Sequence, residues 1–244
     1  MTVLTAGSVW AQEPASVVSP RGDTAAFIHP GNDRWDPSEI NRRRLSGVEF
    51  NPRNNTPWPT PAIDSITLLS LPDAATHEVL APFDTTLGWV RFSPDGSYLS
   101  YVVIRDTGVE QWVFDISTGT PRPLTSASLN AIWGEPCSWL RNSRGMLCRF
   151  VLSARGSPPA DPDSETDDQA REALIDYHFT SQLGTVMLAT GRRTDLGAPG
   201  LYVRASATPD GQYVVVHQGQ LVEIWNQEGT VVGELDGPDS PVGR

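Results

Sequence analysis

No lysine occurs among the 244 residues; all 18 basic side chains are arginine. That excludes a lysine Schiff base, a Ser–Lys dyad and a phosphate-loop lysine. There is no Gly-x-Ser-x-Gly, so no nucleophile elbow of the α/β-hydrolase kind. Gly-x-Gly-x-x-Gly, His-Glu-x-x-His and Cys-x-x-Cys are missing too. No apolar run is long enough to span a bilayer. Acidic residues number 29 and the net charge is −11, which argues against a nucleic-acid partner, since phosphate binding needs a basic surface. The four histidines, His29, His77, His178 and His217, are scattered and each reads as a surface or strand residue. No catalytic, cofactor-binding or metal-ligating residue is assigned, and no cofactor is expected.

What is present is repetition. Ser19-Pro20-Arg21-Gly22, Ser93-Pro94-Asp95-Gly96, Arg141-Asn142-Ser143-Arg144-Gly145 and Thr208-Pro209-Asp210-Gly211 each precede a short β-rich run. Pro presets φ, Asp or Asn bonds its own backbone, and Gly supplies φ > 0. Recurrence at roughly 50 to 75 residues points to an array of small antiparallel sheets, a β-propeller. The expected fold is all-β, with about four four-stranded blades over residues 15–80, 84–125, 129–196 and 201–235. The propeller then covers 15–237, between tails at 1–14 and 238–244.

Within the first block the expected strands are those of the Ser16–His29 hairpin, then Leu45–Phe50 and Ser65–Leu71. The second block is the cleanest: four strands and three tight turns in about 40 residues. In the third, Ala131–Leu140 and Met146–Ser153 form the hairpin, and Gly156–Ala173 is a Pro- and acid-rich excursion. Gln182–Thr190 and Arg192–Leu196 complete it. The fourth block has strands at Val203–Ala207, Tyr213–His217, Leu221–Trp225 and Thr230–Leu235. Four blades lie at the bottom of the usual range, so an incomplete propeller is the economical reading.

In the excursion, Asp161, Asp163, Glu165, Asp167, Gln169 and Glu172 fall at calcium-loop spacing. Thr166 stands where the sharp turn needs Gly, and Pro162 interrupts the start, so a solvated loop is expected. Cys137 and Cys148 flank the Arg141–Gly145 turn. They are either two reduced strand cysteines or, in an exported chain, a cross-strand disulfide. Met1–Ala11 is similar to the end of an export signal, with Val9 and Ala11 at the cleavage positions, but lacks a positive start. The location expected is periplasmic or exported, otherwise cytoplasmic. Trp89, Trp112, Trp133, Trp139 and Trp225 read as strand residues packed between blades.

The third block carries a specific run: Leu129–Trp133, then Cys137-Ser138-Trp139, Arg155–Pro159, Asp176-Tyr177 and Thr180–Leu183. In order, these resemble the non-catalytic propeller of the prolyl oligopeptidase family of serine peptidases, nearest to its glutamyl endopeptidase branch of bacteria and chloroplasts. Leu45–Val48 with Asn51–Asn55 is similar to that branch's first blade; Leu201-Tyr202, Thr208–Gly211 and Val222–Trp225 are similar to its next blade boundary. The resemblance implies further blades and an α/β-hydrolase domain bearing Ser, Asp and His, with the propeller filtering peptide or protein substrates. No residue here matches that catalytic set, so the chain alone is expected to be inactive. Its partners are then a peptide or protein substrate reached through a missing catalytic domain, and a second copy or a partner fragment. The other reading is a stand-alone interaction or ligand-binding propeller.

Overall fold

The computed structural model describes residues 15–31, 42–160, 167–208, 210–219 and 221–236. The export-signal reading of 1–14, the tail at 238–244, and Asp161, Asp163, Glu165 and Thr166 lie outside them.

The chain is an all-β propeller. Its first blade pairs β1 (Ser16–Val18) with β2 (Thr24–Pro30). An insertion follows, in which β3 (Arg43–Leu45), β4 (Val48–Asn51) and β5 (Thr56–Pro57) make a separate small sheet. The blade resumes with β6 (Ile63–Ser70) and β7 (Thr76–Leu80). The second blade is β8 (Thr86–Phe92), β9 (Tyr98–Arg105), β10 (Gly108–Asp115) and β11 (Thr120–Pro123). One bridge, Ile63 to Leu87, joins it to the first. The third blade is β12 (Cys137–Trp139), β13 (Gly145–Phe150), β14 (Ser181–Met187) and β15 (Arg193–Gly200), with helix α1 (Asp168–Phe179) inserted after β13. The fourth is β16 (Arg204–Ala207), β17 (Tyr213–Gln218), β18 (Leu221–Asn226) and β19 (Val231–Asp236). All pairings are antiparallel.

The repeated turns each join the first strand of a blade to its second. At Ser93 the hydroxyl donates to Asp95 at 2.7 Å and accepts the Tyr98 N–H at 3.0 Å. The Gly96 N–H closes the turn on the Ser93 carbonyl, with Gly96 at φ +69°. Thr208 repeats this with Asp210 and Tyr213. Ser19 does so with Asp23 and Thr24. Neighbouring turns also touch: Arg21 donates to Ser97 at 2.7 Å, and the Asp95 N–H donates to Ser143 at 3.0 Å.

Three expectations are corrected. Leu45–Phe50 is not a strand of the first blade. Ser46 and Gly47, at φ 48° and 81°, fold this run back so that Leu45 faces Val48, and Ile63–Ser70 takes the third position. Ala131–Leu140 is not one strand; the Gly134 N–H bonds the Ala131 carbonyl in a turn, and only Cys137–Trp139 pairs. The Gly156–Ala173 excursion ends in a helix. Asp167 caps it by accepting the Ala170 N–H at 3.0 Å, Asp168 sits in the positive first turn, and Leu174 and Phe179 provide a buried face.

The core lies between blades. Ala26, Ile28, Ile66 and Leu68 pack on Leu87, Leu99, Tyr101 and Val103. Ile104, Val109 and Val113 meet Met146, Cys148 and Phe150. Leu147, Leu183 and Leu196 meet Val214, Val216 and Trp225. Four of the tryptophans work here: Trp139, for instance, donates to Ser100 across the blade boundary at 2.8 Å.

Candidate functional site

The two insertions leave their blades at the same step, between the second and third strands. They therefore emerge from one end of the propeller, opposite the repeated turns, and meet there as a cap. Leu45 and Phe50 from the first blade's insertion pack with Leu174 and Phe179 of α1 and with Ile132. Phe179 lies edge-on to Phe50 at 5.4 Å and to Trp133 at 5.1 Å. Trp133 is thus a cap residue on a turn, not a strand residue.

A polar seam runs through this apolar cluster. Asn55 Oδ1 is 2.9 Å from His178 Nδ1, and Asn55 Nδ2 donates to the His178 carbonyl at 3.2 Å. Asn130 Nδ2 donates to the same carbonyl at 2.9 Å, and its Oδ1 accepts the Ile132 N–H. The Thr180 hydroxyl donates to Asp176 at 2.7 Å. Arg53 pairs with Asp106, and Asn54 Nδ2 donates to the Arg105 carbonyl, so the cap is also pinned to the second blade.

His178 is buried at the helix C-terminus, correcting its reading as a surface or strand residue. Its ring lies 5.0 Å from Phe50 and 4.9 Å from Tyr177. Burial, then the Arg155 and Arg43 charges, pushes its pKa down to about 4. The imidazole is therefore neutral at pH 7. Because Nδ1 faces an amide oxygen, Nδ1 carries the proton. Arg155 covers the Tyr177 ring at 4.4 Å, and burial lowers its pKa.

His29 contacts Thr67. Among the described residues no histidine hydrogen-bonds a serine or a carboxylate, and no group of three or more His, Cys, Asp or Glu is placed to hold a metal. Of the calcium-spaced residues that are described, Asp167 caps α1 while Gln169 and Glu172 lie on it. Cys137 and Cys148 are cross-strand partners joined in a disulfide, their Cα atoms 4.1 Å apart. The flanking pairs supply the hydrogen bonds (Arg149 N–H to the Pro136 carbonyl, Leu140 N–H to the Gly145 carbonyl). The cysteines thus occupy a non-hydrogen-bonded pair, where antiparallel strands approach most closely. No described helix is long and apolar enough to cross a membrane.

The seam residues Asn55, Asn130 and His178 carry no sequence signal as a group; they are 48 to 123 positions apart. Only their membership of the family-like runs marked Asn55 and Asn130.

No family model matches the chain, and no curated protein does. Solved structures do. A hydrazine synthase chain of Kuenenia stuttgartiensis is 14% identical, with a TM-score of 0.51 over 93% of this chain and 63% of that one. This likeness is one of fold. The acylaminoacyl peptidase of Pyrococcus horikoshii is 13% identical, with a TM-score of 0.47 over 88% of this chain. The β-propeller domain of the Trilobed protease from Pyrococcus furiosus is 13% identical, with a TM-score of 0.46 over 89% of this chain and 54% of that one. The chain spans about a third of the acylaminoacyl peptidase's length, 31%.

Proposed function

We propose that this chain is the gating propeller of a prolyl-oligopeptidase-type serine peptidase, nearest to the glutamyl endopeptidase branch. Its role is to filter peptide substrates, and a hydrolase domain outside this sequence cleaves them. The observation that carries this reading is convergence. Much of the family-like run meets in one place: Asn130 bonds the carbonyl of His178, Arg155 covers Tyr177, Trp133 and Phe179 touch, and Asn55 reaches the same carbonyl from the first blade. A cap built from two insertions at one end of a propeller is a fitting place to restrict entry of a chain-like substrate.

The test has two parts. The purified chain should not hydrolyse a glutamyl or prolyl chromogenic peptide; turnover sensitive to a serine-directed inhibitor overturns the non-catalytic role. The DNA downstream of the Arg244 codon should encode a Gly-x-Ser-x-Gly. Its absence, in every frame, removes the peptidase and leaves a free-standing binding propeller.

A further inference from the structure

A concavity of about 320 Å³ opens beside the cap, between the second and third blades. Its lining includes Arg53, Arg155, Arg193, Ser126, Ser128 and Ser153. We propose that it binds a small oxyanion ligand carrying two or more negative charges, such as a polycarboxylate or a phosphate ester. This does not depend on the peptidase reading.

The three arginines come from three separate parts of the chain: the first blade's insertion, the segment after β13, and the outermost strand of the third blade. Guanidinium groups present paired N–H donors that match carboxylate and phosphate oxygens. Two of them are already oriented. Arg53 is held by Asp106, and Arg193 by Asp195 and by the face of Phe150, 3.8 Å from its centre. Arg155 differs. Its contacts among the described residues are the Tyr177 ring and, at 3.4 Å, the Tyr177 carbonyl, and no described carboxylate pairs with it. A part-buried cation with no counter-charge among the described residues is in an unfavourable setting that an incoming anion relieves. The Ser126 and Ser128 hydroxyls, 3.1 Å apart, supply neutral donors at the rim.

Size and charge narrow the class. The volume is at the lower end for small-molecule sites, which suits a ligand of citrate or sugar-phosphate dimensions. With a net charge of −11, the rest of the surface repels an extended polyanion, whereas the hollow offers Arg155 together with two arginines whose carboxylate partners, Asp106 and Asp195, a stronger anion can displace.

Calorimetric titration of the full chain with citrate, and separately with inorganic phosphate, at constant ionic strength tests this. Saturable one-to-one binding is expected. It should weaken at least tenfold in Arg155→Gln and vanish in Ser128→Glu, which puts a negative charge into the same hollow. Arg141→Gln, in the exposed third-blade turn, should leave it unchanged. Thermal unfolding of each variant identifies any that fails to fold. Binding of citrate alone assigns a polycarboxylate ligand, and binding of phosphate alone a phosphate ester. No saturable binding of either, or binding that survives Ser128→Glu, overturns the proposal.

Discussion

Asn55 grips His178 from two sides, its amide oxygen on the ring and its amide nitrogen on the backbone carbonyl, across 123 positions of sequence. The pair ties the first blade's insertion to the third blade's helix. Removing it leaves a buried imidazole N–H without an acceptor. We expect Asn55→Ala to destabilise the fold by about 2–3 kcal/mol, from two buried hydrogen bonds and an alanine placed at φ 55°. Urea denaturation measures this; a loss under about 0.5 kcal/mol, within the range of ordinary surface changes, refutes the seam's role.

Acid should weaken the cap through His178. The unfolded chain protonates this residue near pH 6.5, the folded chain at about 4. The unfolded state therefore binds the extra proton first. The contribution is complete above about pH 6.5 and is lost as pH falls towards 4, by up to about 3 kcal/mol. Asp23 and Asp210, held low by the Ser19 and Thr208 hydroxyls, lose stability only further down, below about pH 4. Stability measured from pH 7 to 4.5 should fall in the native protein and stay nearly flat in His178→Gln. Equal slopes in the two proteins contradict the assignment.

The Cys137–Cys148 disulfide closes a loop of 11 positions. Reduction, or the double change to alanine, should cost roughly 3 kcal/mol by loop-closure entropy. Mass spectrometry of the denatured, unreduced protein should find no free thiol. Two alkylatable thiols contradict the bond.

The outer face of the fourth blade is predicted to drive association. Val214, Val216 and Trp225 point at the third blade, so Val215, Val222 and Ile224 face the other way, beside Leu235, which is 62% exposed. We propose that an additional blade covers this face and that, in its absence, copies of the chain self-associate. Sedimentation should detect concentration-dependent association that Ile224→Arg abolishes. A clean monomer instead favours a self-sufficient four-bladed module.

The blades were readable because their determinants are local. In the second and fourth blades a Ser or Thr hydroxyl, an Asp two residues on and a Gly after it close a turn within four residues, whatever surrounds them. The fourth blade's strands lie within a residue or so of those expected. The cap was not readable for the opposite reason. Leu45–Phe50 has strand chemistry, and nothing local says which sheet it joins or that the chain reverses at Ser46-Gly47. Helix α1 has a weakly patterned sequence, and its buried Leu174 and Phe179 are explained only by partners from another blade. His178 looked isolated because both amides that hold it arrive from far away in sequence.

The position of the two insertions also sets an order of assembly. The second and fourth blades connect their middle strands by turns of about two residues, while the first and third must first span roughly 30 residues to do so. Bringing such distant ends together carries an extra entropic penalty on the order of 2–3 kcal/mol before any strand contact repays it. The second blade, lying between two slow neighbours, is then the natural nucleus. The first and third blades zip onto its faces, and the cap residues find one another last. Hydrogen exchange during refolding should accordingly protect Val102 and Val113 well before Phe50 or Leu174.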